Sequence, residues 1–149
     1  MHFLEKLDRQ IISKISAAFP FVARLALFVV FFGFGALKLF DASPANPLVE
    51  NLLHNTLPFI GFNEFIIGLG IFEMLIGICF AIPRLERLAI LLLVPHMITT
   101  GMPLFLLPEI AWSSFLVPTL EGQYIIKNLV IIALAMGIAS QLKPIHFKK

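Results

Sequence analysis

Residues 61–82, GFNEFIIGLGIFEMLIGICFAI, decide the fold class of this chain. A helix over this stretch would be about 33 Å long at about 1.5 Å per residue, enough to cross the ~30 Å hydrocarbon core of a bilayer. Pro83 follows at once, where such a helix must stop. Only two residues inside are charged: Glu64 near the start and Glu73 in the middle. A charge at mid-bilayer costs roughly 2.5–3.5 kcal/mol even on the most lenient insertion scales, so Glu73 needs a partner or a task.

Working outward, three more stretches have the same character, at about 19–40, 88–107 and 123–141. Pro20 opens the first of them and Pro108 follows the third. The chain therefore reads as all-α, an integral membrane four-helix bundle occupying residues 19–141. Residues 1–18 read differently. Phe3, Leu4, Leu7, Ile11 and Ile15 share one helical stripe while Glu5, Lys6, Asp8, Arg9 and Lys14 lie elsewhere, the pattern of an amphipathic interfacial helix. The apolar run after it exceeds a signal-peptide h-region, and Pro44 and Pro47 stand where a small-residue cleavage site would be, so the first span is expected to remain uncleaved. Asn46-Pro47 predicts an N-cap and a short interfacial helix over 47–55; Trp112 suits an interfacial anchor, and residues 142–149 form a tail.

Composition agrees. Of 149 residues, 59% are hydrophobic and 13% charged, against about a quarter charged in soluble domains. The formal net charge of +2 offers nucleic acid no footprint. Its distribution carries more information. Lys6, Arg9, Lys14, Arg24, Arg84, Arg87, Lys143, Lys148 and Lys149 fall at the termini or the second–third turn, and only Lys38 and Lys127 fall on the other side. By the positive-inside rule both termini face the cytoplasm. Cys79, the single cysteine, can form neither an internal disulfide nor a CxxC pair and reads as a buried, inert thiol.

Counting depth along each span puts Glu73 and His96 near mid-membrane, Lys38 at the outer end of the first span and Lys127 one turn inside the outer end of the fourth. Gln123, Tyr124 and Asn128 surround Lys127, Glu121 borders the outer surface, and Thr99 and Thr100 share the His96 face with Pro103. Gly70 and Gly77 flank Glu73 at i−3 and i+4, so this face is expected to meet a neighbouring helix. Lys38, Glu73, His96, Thr99, Glu121, Gln123, Tyr124, Lys127 and Asn128 are thus the candidate ligand-binding set, gathered in a cavity open to the outer side. Glu73 reads either as a proton-carrying or ligand-binding carboxylate, or as a fixed partner of Lys38, Lys127 or His96. Lys38 is buried or snorkels outward, and Arg24 snorkels to the opposite face. Pro95 and Pro103 leave the carbonyls of Leu91 and Thr99 short of donors, to be repaired by water in a cavity or by threonine hydroxyls. His96 has no second ligand at metal-binding spacing, and no nucleophile–base order or phosphate-binding glycine loop is present.

The runs GALKLFDASPANPLVENL (35–52) and PTLEGQYIIKNLVII (118–132) resemble the YkgB/RclC-type membrane proteins, a four-span family within the DoxX-like group. The likeness covers nearly the whole chain and carries Lys38, Pro47, Glu121, Gly122, Lys127 and Asn128 as family positions. It implies a bacterial inner-membrane protein. One branch is linked to resistance to reactive chlorine, and DoxX-type relatives include subunits associated with quinone-linked sulfur oxidation and oxidative-stress complexes. The expected function is therefore binding of a quinone- or lipid-like ligand, or support of a redox membrane complex through a partner subunit or a homo-oligomer; catalysis by the chain alone is the least supported reading. A small transporter component and a purely structural assembly subunit are the alternatives. Transport ranks lower because Ile76, Ile78, Leu92, Ile131 and Leu134 make the inner half dry.

Overall fold

The computed structural model describes residues 2–144. Lys148 and Lys149, counted above among the basic residues, and the rest of the tail beyond 144 lie outside the described residues. Four helices are long and apolar enough to cross a membrane, and the mostly helical architecture is compatible with a membrane-embedded bundle.

The first helix, α1, runs without interruption from His2–Leu39. This corrects the expected division at residue 18: Pro20 does not open a new helix but sits inside one. Proline removes a single backbone donor, and the helix absorbs that loss at the point where α1 leaves the bundle. Every residue from 3 to 18 is exposed, whereas Ala23, Leu27, Phe31, Gly35 and Lys38 form a buried seam at spacings of three and four. α1 ends in a Schellman motif: Ala42 N–H donates to the Leu37 carbonyl at 2.9 Å and Asp41 N–H to the Lys38 carbonyl at 3.3 Å. Asp41 takes the left-handed position, φ 52°, that glycine usually fills. Asn46 secures it, its Nδ2 donating to Asp41 Oδ1 at 2.7 Å. Asn46 is consequently not the N-cap: Ala45 is, and Asn46 is the first residue of α2 (Asn46–Thr56).

α3 (Phe62–Ala81) returns along α1 in the most extensive pairing of the molecule. Two glycines set the approach. A Cβ on Gly35 would lie 2.5 Å from the Gly70 carbonyl oxygen, and one on Gly70 would lie 2.8 Å from the Gly35 oxygen. The backbones touch there, as small residues permit in a membrane bundle. The turn after α3 contains Arg84 at φ 77° and leads into α4 (Glu86–Gly101). The third span then continues through a break at Met102 into α5 (Pro103–Leu106), followed by α6 (Pro108–Ala111). Met102 N–H bonds the Thr99 carbonyl at 3.2 Å, so that carbonyl, expected to lack a donor because of Pro103, is satisfied. A two-stranded hairpin follows, β1 (Trp112–Ser114) pairing antiparallel with β2 (Val117–Pro118). Its tip, Phe115 and Leu116, is exposed, and the Trp112 indole N–H donates to the Leu104 carbonyl at 2.9 Å.

The fourth span starts earlier than expected and is divided into α7 (Leu120–Ile126) and α8 (Asn128–Ala139), with Lys127 at the joint. Thr119 caps α7, its Oγ1 accepting from Gly122 N–H at 3.1 Å. The core lies toward the end of the bundle that carries Arg24 and the α3–α4 turn, the basic end. There Leu27, Phe31, Ile76, Phe80, Leu93 and Ile138 interlock with Ala23, Cys79, Ala89 and Ala135. The opposite end, built from α2, α5, α6 and the hairpin, is the loop end.

Candidate functional site

Lys38, Glu73 and His96 meet inside the bundle. Lys38 stands in the last turn of α1, where a cation also favours the helix dipole. The contact of Gly35 with Gly70 brings its Nζ to Glu73 Oε2 on α3, at 2.6 Å. The other carboxylate oxygen, Oε1, lies 2.9 Å from His96 Nε2 on α4. All three residues are 5–6% exposed. Against an ionised carboxylate, which only accepts, the Nε2–H tautomer of His96 would be the donor in this contact. The His96 ring packs against two phenyl rings, nearly perpendicular to Phe31 at a centroid distance of 5.4 Å and stacked with Phe72 at 6.1 Å. Its second nitrogen, Nδ1, is buried and has no hydrogen-bond partner.

A polar thread joins this triad to the fourth span. Thr100 Oγ1 donates to the His96 carbonyl at 2.9 Å, and Asn128 Nδ2 reaches Thr100 Oγ1 at a long 3.4 Å. Thr99 donates to the carbonyls of Pro95 and His96, 3.1 and 2.9 Å away, and its own side chain is exposed. The threonine hydroxyls thus serve the backbone of their own helix.

The remaining candidates do not join the triad. Glu121, Gln123, Tyr124 and Lys127 are exposed on the flank of α7, where the Lys127 ammonium lies 4.6 Å from the centroid of the Tyr124 ring. Asn128 is half-buried at the start of α8. The cause is rotational: Gly122 and Ile125 turn toward the bundle, and a Cβ on Gly122 would lie 2.1 Å from the Ala111 carbonyl oxygen. That contact points the intervening residues away from the interior. Among the described residues no three His, Cys, Asp or Glu side chains converge in a group that would hold a metal.

Two features escape a reading of the chain alone. Phe31 and Phe72 are indistinguishable in sequence from the many other phenylalanines. Arg24, expected to snorkel, instead donates through Nη2 to Glu86 Oε1 in the first turn of α4, and its side chain is 23% exposed. Here a signal existed: both residues lie close to the basic end of their spans, so depth counting alone matches them. The chain matches no family model, no curated protein and no solved structure.

Proposed function

We propose that this is a bacterial inner-membrane protein, with both termini cytoplasmic, whose Lys38–Glu73–His96 triad receives the hydroxyl-bearing headgroup of a quinol- or lipid-like molecule in support of a redox or oxidative-stress membrane system. The observation that carries the reading is the His96 ring. Nε2 is occupied by Glu73, while Nδ1, on a ring that packs against Phe31 and Phe72, is buried without a partner. A buried polar atom left unpaired costs roughly 1–3 kcal/mol, a penalty that a bound donor removes. In the neutral ring Nδ1 offers a lone pair, which suits a hydroxyl donor such as that of a quinol and can take its proton. Glu73 would face the resulting imidazolium, and Lys38 would hold Glu73 in place. Phe31 and Phe72 would flank an aromatic headgroup.

The likeness to YkgB/RclC-type and DoxX-like proteins supports the same direction. The apolar core at the basic end gives a polar solute no continuous path, which disfavours transport. In this reading residues 2–18 continue α1 beyond the hydrocarbon core on the inner side. At about 57 Å for 38 residues, α1 is far longer than the ~30 Å core it would cross.

A second reading has its own support. Both oxygens of Glu73 are already bonded within the protein, as a structural clamp requires. One experiment separates the two. The protein in nanodiscs is titrated with a short-chain ubiquinol, following thermal stability, beside His96→Phe, which keeps a ring at the site. Saturable stabilisation of the wild type that is lost in His96→Phe is the expected result. Absence of any saturable effect on the wild type would leave the clamp as the better account.

A further inference from the structure

The Arg24–Glu86 pair has no part in the triad and lies at the other end of the bundle. Glu86 engages one amino group of the guanidinium, which has five N–H donors in all. The Nε–H is buried without a partner, and the partly exposed side chain forms part of the wall of a groove of ≈ 450 Å3. Phe21, Leu25 and Phe28 make one wall, spaced by four and three residues along α1, and Ala81 and Pro83 make the other. This wall of α1 is about 10 Å long, at about 1.5 Å per residue. The groove is therefore apolar along its length and cationic at one point.

Its surroundings fix the sign of the ligand. Arg84 follows Pro83 directly and is exposed, and its left-handed backbone belongs to the turn at the rim. Arg87 is exposed in the next turn and donates to the Lys143 carbonyl. Arg24, Arg84 and Arg87 thus bring three guanidinium groups to the neighbourhood of the α3–α4 turn, where the Glu86 carboxylate is already engaged by Arg24. Planar guanidinium donors match phosphate oxygens in pairs, and the apolar trough beside them matches an acyl chain.

We infer that this groove binds an anionic glycerophospholipid, its phosphate on Arg24 and the Arg84 rim and one acyl chain along Phe21, Leu25 and Phe28. The occupant is a lipid and not free phosphate, because the groove is mostly apolar and joins a face of α1 that belongs to a candidate membrane span. The site is independent of the proposal for His96.

The test uses the full chain in a neutral detergent. Lipid retention is read by native mass spectrometry and stability by thermal unfolding, with dioleoyl phosphatidylglycerol, dioleoyl phosphatidylcholine or inorganic phosphate added. Phosphatidylglycerol is expected to bind saturably and about tenfold more tightly than phosphatidylcholine, equivalent to about 1.4 kcal/mol, and inorganic phosphate is expected to give no comparable stabilisation. Arg24→Gln should abolish the preference. Since it also leaves Glu86 unpaired, Ala81→Phe decides: it fills the groove from an exposed position and keeps the ion pair. Loss of phosphatidylglycerol retention in a folded Ala81→Phe protein supports the site. Undiminished retention in that variant, equal affinity for the two lipids, or full protection by inorganic phosphate would each overturn it.

Discussion

Removing the charge of Glu73 while keeping its shape should be the most damaging conservative change in the protein. In Glu73→Gln the amide can still accept from Lys38, but the ammonium, 5% exposed, loses its counter-charge. At 2.6 Å and an effective dielectric near 20, the raw attraction between the two groups is about 6 kcal/mol, much of it offset by the desolvation of both. Breaking such a pair from one side typically costs about 3–5 kcal/mol, because the surviving charge is stranded. Lys38→Met should cost less than Glu73→Gln, since Glu73 keeps its 2.9 Å contact with His96 Nε2 when the ammonium is gone. In the double variant Lys38→Met/Glu73→Gln no charge is stranded, and most of the loss should return. The two changes should therefore be coupled by at least about 2 kcal/mol, against the few tenths expected for independent sites. Reversible unfolding in mixed micelles measures all four corners of this cycle. Additivity within about 0.5 kcal/mol, or single-variant losses under about 1 kcal/mol, would refute the claim that the triad is an energetically linked unit.

Other perturbations test the architecture around it. Gly35→Ala drives a methyl group into the Gly70 carbonyl and should lower stability by about 1–3 kcal/mol, whereas Gly33→Ala, with nothing within 4 Å of its new methyl, should be neutral or slightly stabilising by helix propensity. Thermal unfolding of the two variants side by side would expose an error if they behaved alike. Lys127→Met removes only an exposed cation–ring contact, so its effect on stability should stay below about 1 kcal/mol and ubiquinol binding should persist. A larger effect in the same nanodisc titration would return Lys127 to the site. Cys79, 2% exposed in the core, should resist maleimide in the folded protein and react at the rate of unfolding, which mass spectrometry follows directly. Rapid labelling under native conditions would contradict the packing of α3.

Much of this was legible along the chain. Glu73 at the middle of an apolar stretch demanded a partner, and the glycines around it announced a helix–helix contact; both features are local to one segment. The threonines after His96 could be read as back-bonding because their acceptors lie within four residues. Boundaries were less legible. Pro20 resembled a helix start, yet a membrane-length helix continues through it, because one missing donor is a small loss beside the bonds of 38 residues. The fourth span begins at Leu120, capped by Thr119, and the polar run that follows made it look shorter than it is.

Hydropathy is a property of single segments, so the number of long apolar helices, their approximate ends and the position of every charge along them were already contained in the order of the residues. The partner of Glu73 was not. Lys38 and Lys127 stand near the same end of their spans, and the polar side chains around Lys127 favoured it for a buried role; what decides for Lys38 is rotation about the helix axis. Gly35 against Gly70 turns Lys38 inward, and Gly122 against Ala111 turns Lys127 outward. Those rotations arise from backbone contacts between segments distant in sequence, and such contacts exist only once the helices have packed.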